Sequence, residues 1–280
     1  MHLLLCGHGY LGQAVSREFL NAGWNVTAVS LSKAAPETPV PNLHELSADL
    51  SSSDSIAQLA DSIPSPDFIV HCAASGRGGP EAYRSVYLNG CQHLIDHFHG
   101  IPLLFTSSTS VYPQTDGSTV SEESPADPER ETGQILRQTE KVALNHEGIV
   151  FRLAGIYGPG RSVILKKFLA GEATLEEDGR RILNQIHRDD AARAILQAAL
   201  GYCGPGIWNV SDSTPTSQLD TYTGLAETFG KPMPPSVPRD LNRKRGWTHK
   251  SVDNSKLRQI GWTPRHSSFL SAAREIADSL

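Results

Sequence analysis

The chain has 280 residues, 39% hydrophobic and 20% charged, the composition of a globular protein with a substantial core. Lys and Arg total 25 against 30 Asp and Glu, a formal net charge of −5 that offers no bulk attraction to nucleic acid or to an anionic membrane. No apolar run approaches the roughly 20 residues that span a bilayer, and MHLLLCGHG lacks the basic segment and apolar length of a signal peptide.

The first 150 residues alternate short apolar runs with helical patterns. HLLLCG (2–7) predicts a strand, and Tyr10 to Ala22 a helix with Leu11, Val15, Phe19 and Leu20 at helical spacing, ended by Gly23. NVTAVSLS (25–32) and LHELSADL (43–50) predict the second and third strands, and SSSDSIAQLADSI a capped helix. DFIVHCAA (67–74) predicts a fourth strand, 83–98 a helix, and PLLFTSST (102–109) a fifth strand. An amphipathic helix follows over 131–144, then a sixth strand, GIVFRLAGIYG (148–158). Strands and helices alternating at this spacing imply parallel βαβ units, and the unbroken apolar runs imply a sheet covered on both faces.

The fold class expected is therefore α/β, a Rossmann-type doubly wound parallel sheet with a smaller C-terminal lobe. The boundary is placed after Gly160, giving a dinucleotide-binding domain over 1–160 and a substrate lobe over 161–280, some of whose strands and helices return to the sheet. That lobe is read as a helix at 190–200, a strand at 207–212, a helix at 217–229, an extended proline-rich stretch at 231–240 and a final helix from about 267. The cysteines, at 6, 72, 91 and 203, form no C-x-x-C pair, so neither zinc nor another metal is expected, and a reduced, cytoplasmic protein is.

Gly7, Gly9 and Gly12 stand in G-x-G-x-x-G spacing between the first strand and the first helix. Gly7 permits the tight turn, Gly9 the approach of a pyrophosphate, and Gly12 close packing of helix on sheet. The helix start, at Tyr10 and Leu11, offers N–H groups and the positive end of a dipole to phosphates. The end of the second strand should select the cofactor. An acidic residue there binds the ribose 2′-hydroxyl of NAD, but this chain has Ser30, Leu31 and Ser32 followed by Lys33. Two hydroxyls and a lysine suit a 2′-phosphate, so NADP is favoured over NAD. Asp49 has two open roles, acceptor for the adenine amine or cap of the next helix. Arg77, in the SGRGG loop, is a candidate for an anionic substrate group or a solvated arginine.

These residues resemble the extended short-chain dehydrogenases, the NAD-dependent epimerase/dehydratase family, over nearly the whole chain. VHCAAS (70–75) matches the H-x-A-A signature, which places Ala73 and Ala74 against the cofactor. Asn89 matches the family's helix asparagine, a substrate-side residue. FTSSTSVYP (105–113) is similar to S-S-x-x-V-Y-G, FRLAGIYGPGR (151–161) to R-x-x-x-x-Y-G-P-G, and IHRDDAARAI (186–195) to H-x-D-D-x-A. The resemblance implies a substrate-polarising role for Ser108. It also implies a homodimer through the helices at 83–98 and 131–145.

The family's Tyr-x-x-x-Lys pair is absent. Counting back from the family-like Glu140, its positions hold Thr132 and Leu136, and none of the seven tyrosines has a lysine four residues on. The pattern resembles an atypical subgroup. In the family the tyrosine is the acid/base and the lysine lowers its pKa. Threonine is far less acidic than a phenol, so proton transfer must be reassigned. Tyr112 is a candidate phenol near the active-site mouth or a packing residue. Tyr157 lies near the nicotinamide by resemblance or packs structurally. His187 titrates near neutrality or braces a helix cap. Arg239, Arg243, Lys244, Arg245 and Lys250 form a basic stretch, either a contact for the substrate diphosphate or a solvated loop.

Two function classes stay open. One is an NAD(P)-dependent epimerase, dehydratase or reductase acting on a sugar nucleotide or a similar small hydroxyl or carbonyl compound. The other is a non-catalytic module that binds NADP and responds to it. Nucleic-acid and membrane partners find no support.

Overall fold

The computed structural model describes residues 1–32, 39–76, 78–240 and 247–280. The chain forms two compact units: residues 1–108, 131–152 and 192–208 make the first, and 109–130, 153–191 and 209–280 the second. Both are discontinuous in sequence, so neither coincides with a single cut after Gly160.

The first unit is built on a seven-stranded sheet. Its strands are β1 (His2–Cys6), β2 (Asn25–Ser30), β3 (Leu43–Ser47), β4 (Phe68–His71), β5 (Leu103–Ser108), Ile149–Leu153 and Gly206–Val210. Starting from β3, the spatial order is β3-β2-β1-β4-β5, then 149–153, then 206–210. β1 pairs in parallel with β2 on one side and with β4 on the other. Leu3, Leu4, Leu5 and Cys6 are therefore buried on both faces, which explains why the apolar run does not alternate. The order reverses at β1, and the loop leaving its C-terminal end opens into the crevice where such sheets bind ligands.

Helix α1 (Tyr10–Asn21) buries Leu11, Val15 and Phe19 at the predicted spacing. Phe19 also meets Trp24 edge-on at 5.0 Å. Each such side chain removed from water contributes about 1.5–3 kcal/mol. Helix α2 (Ser53–Ser62) starts at Ser52, whose hydroxyl accepts from the Ser55 amide.

The helix expected over 83–98 is three pieces: α3 (Pro80–Tyr83), a π-helical turn over Arg84–Asn89, and α4 (Gly90–His97). Buried His71 is the physical reason. Its Nε2 donates to the Val86 carbonyl at 3.0 Å, holding open a backbone group that a regular helix would close. A Cβ at Gly90 would lie 3.5 Å from the same nitrogen, so the glycine leaves room for the ring. Helix α5 (Glu131–Asn145) runs as predicted, with Ile135, Leu136, Thr139 and Ala143 buried.

The sixth strand, expected over 148–158, ends at Leu153. A separate strand, Gly155–Tyr157, pairs in parallel with Gln185–His187 inside the second unit. That unit has a core of Tyr157, Leu165, Phe168, Tyr222, Leu225, Phe269 and Ile276. Its helices Val163–Leu169, Gln218–Phe229 and Phe269–Ala277 each begin at a serine, Ser162, Ser217 or Ser268, that accepts the amide three residues on. Three short parallel pairs and one antiparallel pair complete it, among them Ser251–Val252 beside Thr119–Val120. No helix among the described residues is long and apolar enough to cross a membrane.

Candidate active site

The glycine turn needs its glycines. Gly7 has φ +111°, and a Cβ there would overlap the backbone of Ala73. Its amide donates to the Val29 carbonyl at 2.7 Å, which ties the turn to the end of β2. A Cβ at Gly12 would overlap the Gly7 carbonyl, so only glycine lets α1 begin this close to the turn. Gly9 is exposed, with open space for 4 Å around the point where a Cβ would stand, and it precedes the first helical residue, Tyr10. That space, together with first-turn amides of α1 that have no carbonyl partner within the helix, makes a platform for an anion. Cys72 closes the back of the loop, its thiol donating to the Gly7 carbonyl at 3.1 Å. Burial raises that thiol to about 12, so it stays protonated.

At the β2 end, the Ser30 hydroxyl donates to the Ser32 carbonyl at 2.8 Å, and Ser32 is exposed. Asp49 is not the cap of the next helix. Its Oδ1 accepts from the Ser51 amide at 2.9 Å and hydroxyl at 2.7 Å, while Ser52 is the helix cap. His8, which the motif treats as an arbitrary residue, is placed specifically. Its Nδ1 meets Glu45 Oε1 of β3 at 2.6 Å and its Nε2 meets Ser16 Oγ of α1 at 3.0 Å. The Ser16 hydroxyl donates to the Gln13 carbonyl, so Nε2 is the donor in its contact with Ser16 Oγ. Nothing in the glycine spacing signalled this pair. Lys33, Arg77 and Arg245 lie outside the described residues.

Ser108 ends β5, half-buried. Its neighbour Ser107 points the other way and donates to Glu140 Oε1 at 2.6 Å. Glu140 is fully buried. Arg152 grips both of its oxygens at 3.1 and 2.8 Å, and Arg137 binds it too. One turn up α5, Leu136 is only 6% exposed, and Thr132 is half-buried. Among these α5 positions no side chain can hand a proton to a substrate as a phenol would. Ala73 backs Gly7, Ala74 is exposed in the same loop, and Asn89 is exposed at the end of the π turn.

The remaining predicted side chains belong to the second unit. Tyr112 is fully buried and its hydroxyl donates to Asn209 Oδ1 at 2.8 Å. That corrects its placement near an active-site mouth: the packing alternative holds, and its hydroxyl is spent inside the core. Tyr157 and His187 do come together, edge to face at 5.3 Å. The Tyr157 hydroxyl is buried without a hydrogen-bond partner. Burial, then Asp212 and Asp190, push that phenol well above the usual tyrosine range, so it is a poor acid. His187 Nδ1 accepts from the Asp189 amide at 3.2 Å, the bracing role at the start of helix Arg188–Ala199. Burial holds its imidazole below the usual value.

His187, Asp190 and His266 offer ligand atoms within 4.8 Å of one another, a cluster not foreseen when no metal was expected. Asp190, however, accepts from the Arg265 and His266 amides at 2.8 and 2.9 Å and from His266 Nδ1 at 3.1 Å. With both carboxylate oxygens held by donors, the cluster is a hydrogen-bonded brace.

One titratable group in this unit, Asp212, escaped the sequence, and another, Lys250, is more buried than a solvated loop allows. Asp212 is 2% exposed, its Oδ2 has no partner, and burial raises its carboxyl to about 7. It lines a small cleft with Gln185, Thr214, Thr216 and Phe269. Lys250 is 4% exposed, which corrects the solvated-loop alternative for the basic stretch at that residue.

The model of the NAD dependent epimerase/dehydratase family matches residues 3–211, most of the chain. The chain belongs to that family. Protein YeeZ of Escherichia coli K12 is 29% identical over 265 residues, covering 90% of this chain and 91% of YeeZ. A 3-diazoavenalumate denitrifying reductase of Streptomyces is 29% identical over 154 residues, about half of each chain (49% and 50%). Among solved structures, the Thermotoga maritima UDP-glucose 4-epimerase with UDP-glucose superposes with TM-score 0.81 at 21% identity, covering 100% of this chain and 98% of its own. The Thermus thermophilus UDP-glucose 4-epimerase with NAD gives 0.82 at 20% identity, with the same coverage, 100% and 98%. At such identities these structures establish the shared Rossmann-type fold.

Proposed function

We propose that the chain binds NADP at the turn after β1 and, with it, acts as an epimerase, dehydratase or reductase on a small hydroxyl or carbonyl compound, a sugar nucleotide being the favoured class. The observation that carries this reading is the glycine turn. Two of its three glycines tolerate no side chain, and the third stands open beneath the N-terminal amides of α1. A purely structural turn has no need of that opening. The fold neighbours include complexes with NAD and with UDP-glucose, which supports the same reading.

The preference for NADP over NAD rests on where the carboxylates are. The end of β2 itself carries none, and Oε1 of Glu45, on neighbouring β3, is taken by His8. Ser30, Ser32 and Lys33 supply hydroxyls and a charge at the end of β2. In this reading the Tyr10 and Leu11 amides face the pyrophosphate, Ala73 and Ala74 flank the cofactor, and Ser108 polarises the substrate oxygen. Asn89, Arg77, His187 and Arg245 are substrate-side residues, and Tyr157 is a positioning group. The bound dinucleotide supplies hydride chemistry, and the chain's own residues orient substrate and exchange protons.

A second reading, a non-catalytic module responsive to NADP, is favoured by one observation: Thr132 and Leu136 occupy the tyrosine and lysine positions of α5. Equilibrium titration with NADPH and NADH, followed by product analysis against a panel of sugar nucleotides and aldehydes, separates the two. Turnover supports the enzyme. Tight NADPH binding with no product from any compound supports the module.

A further inference from the structure

The α5 positions hold no phenol, but the first unit has one elsewhere, beside the glycine turn. Tyr87 lies on the π-helical turn Arg84–Asn89, which packs against α5. It is half-buried, whereas Tyr83, one turn earlier, is buried. The Tyr87 oxygen accepts from the Ser75 amide at 3.3 Å, and among the described residues no acceptor takes the phenol's own proton. Ser75 belongs to the loop that leaves β4 and backs the glycine turn. In that loop the Cys72 thiol donates to the Gly7 carbonyl and Ala73 lies against Gly7. From Ala73 to Ser75 the chain can run at most about 7 Å. The phenol therefore stands by the C-terminal ends of β1 and β4, where the strand order reverses and such sheets bind ligands. The turn, the loop and Tyr87 all belong to the first unit.

Neighbouring rings fix the direction of this side chain. Tyr83 meets it edge-on at 4.9 Å, Phe105 of β5 at 6.1 Å, and the His71 ring lies 6.3 Å away. His71 also sets the backbone, because its Nε2 donates to the Val86 carbonyl, next to Tyr87. Burial brings that imidazole down to about 4, so it is neutral and its one N–H is spent on the turn. His71 is thus a positioning residue. Its Nδ1 and the Ser75 Oγ are buried without partners, which is uncommon in folded proteins and calls for a functional or solvent partner. A fixed ring with an unspent proton, in a cluster of unmatched polar atoms, suits a group that completes its contacts with a ligand.

We propose that Tyr87 is the proton donor in a carbonyl reduction, the role that α5 has lost; this rests on the enzyme reading above and narrows it to a reductase of carbonyl compounds. Without a lysine to assist it, a phenol is a better proton donor than base near neutral pH. As hydride passes from the reduced nicotinamide dinucleotide to the carbonyl carbon, the phenol gives its proton to the carbonyl oxygen. The products are an alcohol, the oxidised dinucleotide and a Tyr87 phenolate. The Ser75 amide, donating to the same oxygen, supports the negative charge while it lasts. The half-buried phenolate then takes a proton from solvent, so each turnover consumes one proton and the charges balance.

The test uses the full chain, Tyr87→Phe, and the chain carrying 3-fluorotyrosine in place of Tyr87. The wild type is screened with NADPH against aldehydes, ketones and keto sugar nucleotides by loss of nicotinamide absorbance. Both altered chains should bind NADPH within about twofold of the wild type. On the compound that the wild type reduces fastest, Tyr87→Phe should lose at least about 100-fold in kcat. The fluorinated chain keeps the hydroxyl, and its more acidic phenol should move the alkaline limb of kcat to lower pH. A tyrosine that only braces the loop would not move that limb. The ¹⁹F signal of the same chain should shift on saturation with NADPH, a readout that needs no turnover. Should Tyr87→Phe fail to fold, the fluorinated chain decides alone. Tyr87→Phe keeping its rate overturns the proposal, as does an unmoved alkaline limb or an unmoved ¹⁹F signal in NADPH-saturated protein. So does a wild type that binds NADPH and reduces nothing in the panel. Failure of the dinucleotide reading is a separate outcome, seen as no NADPH binding by the wild type.

Discussion

Glu140 in the first unit and Lys250 in the second are both buried ionisable side chains in one small protein, and they are treated oppositely. Glu140 is matched on every side, by two guanidinium groups and the Ser107 hydroxyl. Lys250 has one hydroxyl and a neighbouring arginine of like sign. Full compensation fixes a charge as scaffold, here beneath β5 and α5. Incomplete compensation costs stability and leaves a group whose charge can change near neutral pH.

The contrast can be broken by mutation, with the largest effect expected at the compensated site. Glu140→Ala leaves two arginines facing a void and should lose about 3–5 kcal/mol in denaturant unfolding. Lys250→Met should lose nothing at pH 7. Because the folded pKa of Lys250 lies below its unfolded value, the wild type gains stability as pH rises from about 7 towards the ordinary lysine range, and the variant should lack that rise. Equal losses in the two variants would erase the distinction.

Next in size, Gly12→Val should weaken NADPH binding at least about 100-fold, or about 2.8 kcal/mol at 1.4 kcal/mol per tenfold, because its side chain collides with the Gly7 carbonyl. Calorimetry would show it. Asp212→Asn should act through pH. The Asp212 pKa is raised on folding to about 7, so the wild type loses stability as pH climbs from the ordinary carboxylate range through 7. The slope is at most about 1.4 kcal/mol per pH unit. The amide has no proton to lose, so its melting temperature should fall less between pH 5 and 8. The smallest effect is expected at His8→Asn, which should narrow the NADPH-over-NADH preference by about tenfold or less in competition binding.

Patterns that follow from backbone geometry were legible in the sequence. Strands β1 to β5, α1 and the glycine turn follow from apolar period and glycine position, because each reflects a local requirement that packing then reinforces. The break at Ala154 and the π turn were not legible, since each depends on a distant partner: the strand at 185–187 in one case and His71 in the other. Tyr112 shows the same limit in the site, because its hydroxyl's partner lies 97 residues away. Lys250 sat in a run of charges that reads as solvated, but the segment pairs at 251–252 with 119–120 and its side chain is buried. His8 was hidden by being the variable letter of its motif.

The proposed chemistry depends first on the turn after β1 gripping a dinucleotide. Titrating the purified chain with NADPH and with NADH, following nicotinamide fluorescence, tests this directly. Saturable binding of NADPH, tighter than that of NADH, is the predicted result. No saturable association with either, in a protein whose circular dichroism shows it folded, would contradict it.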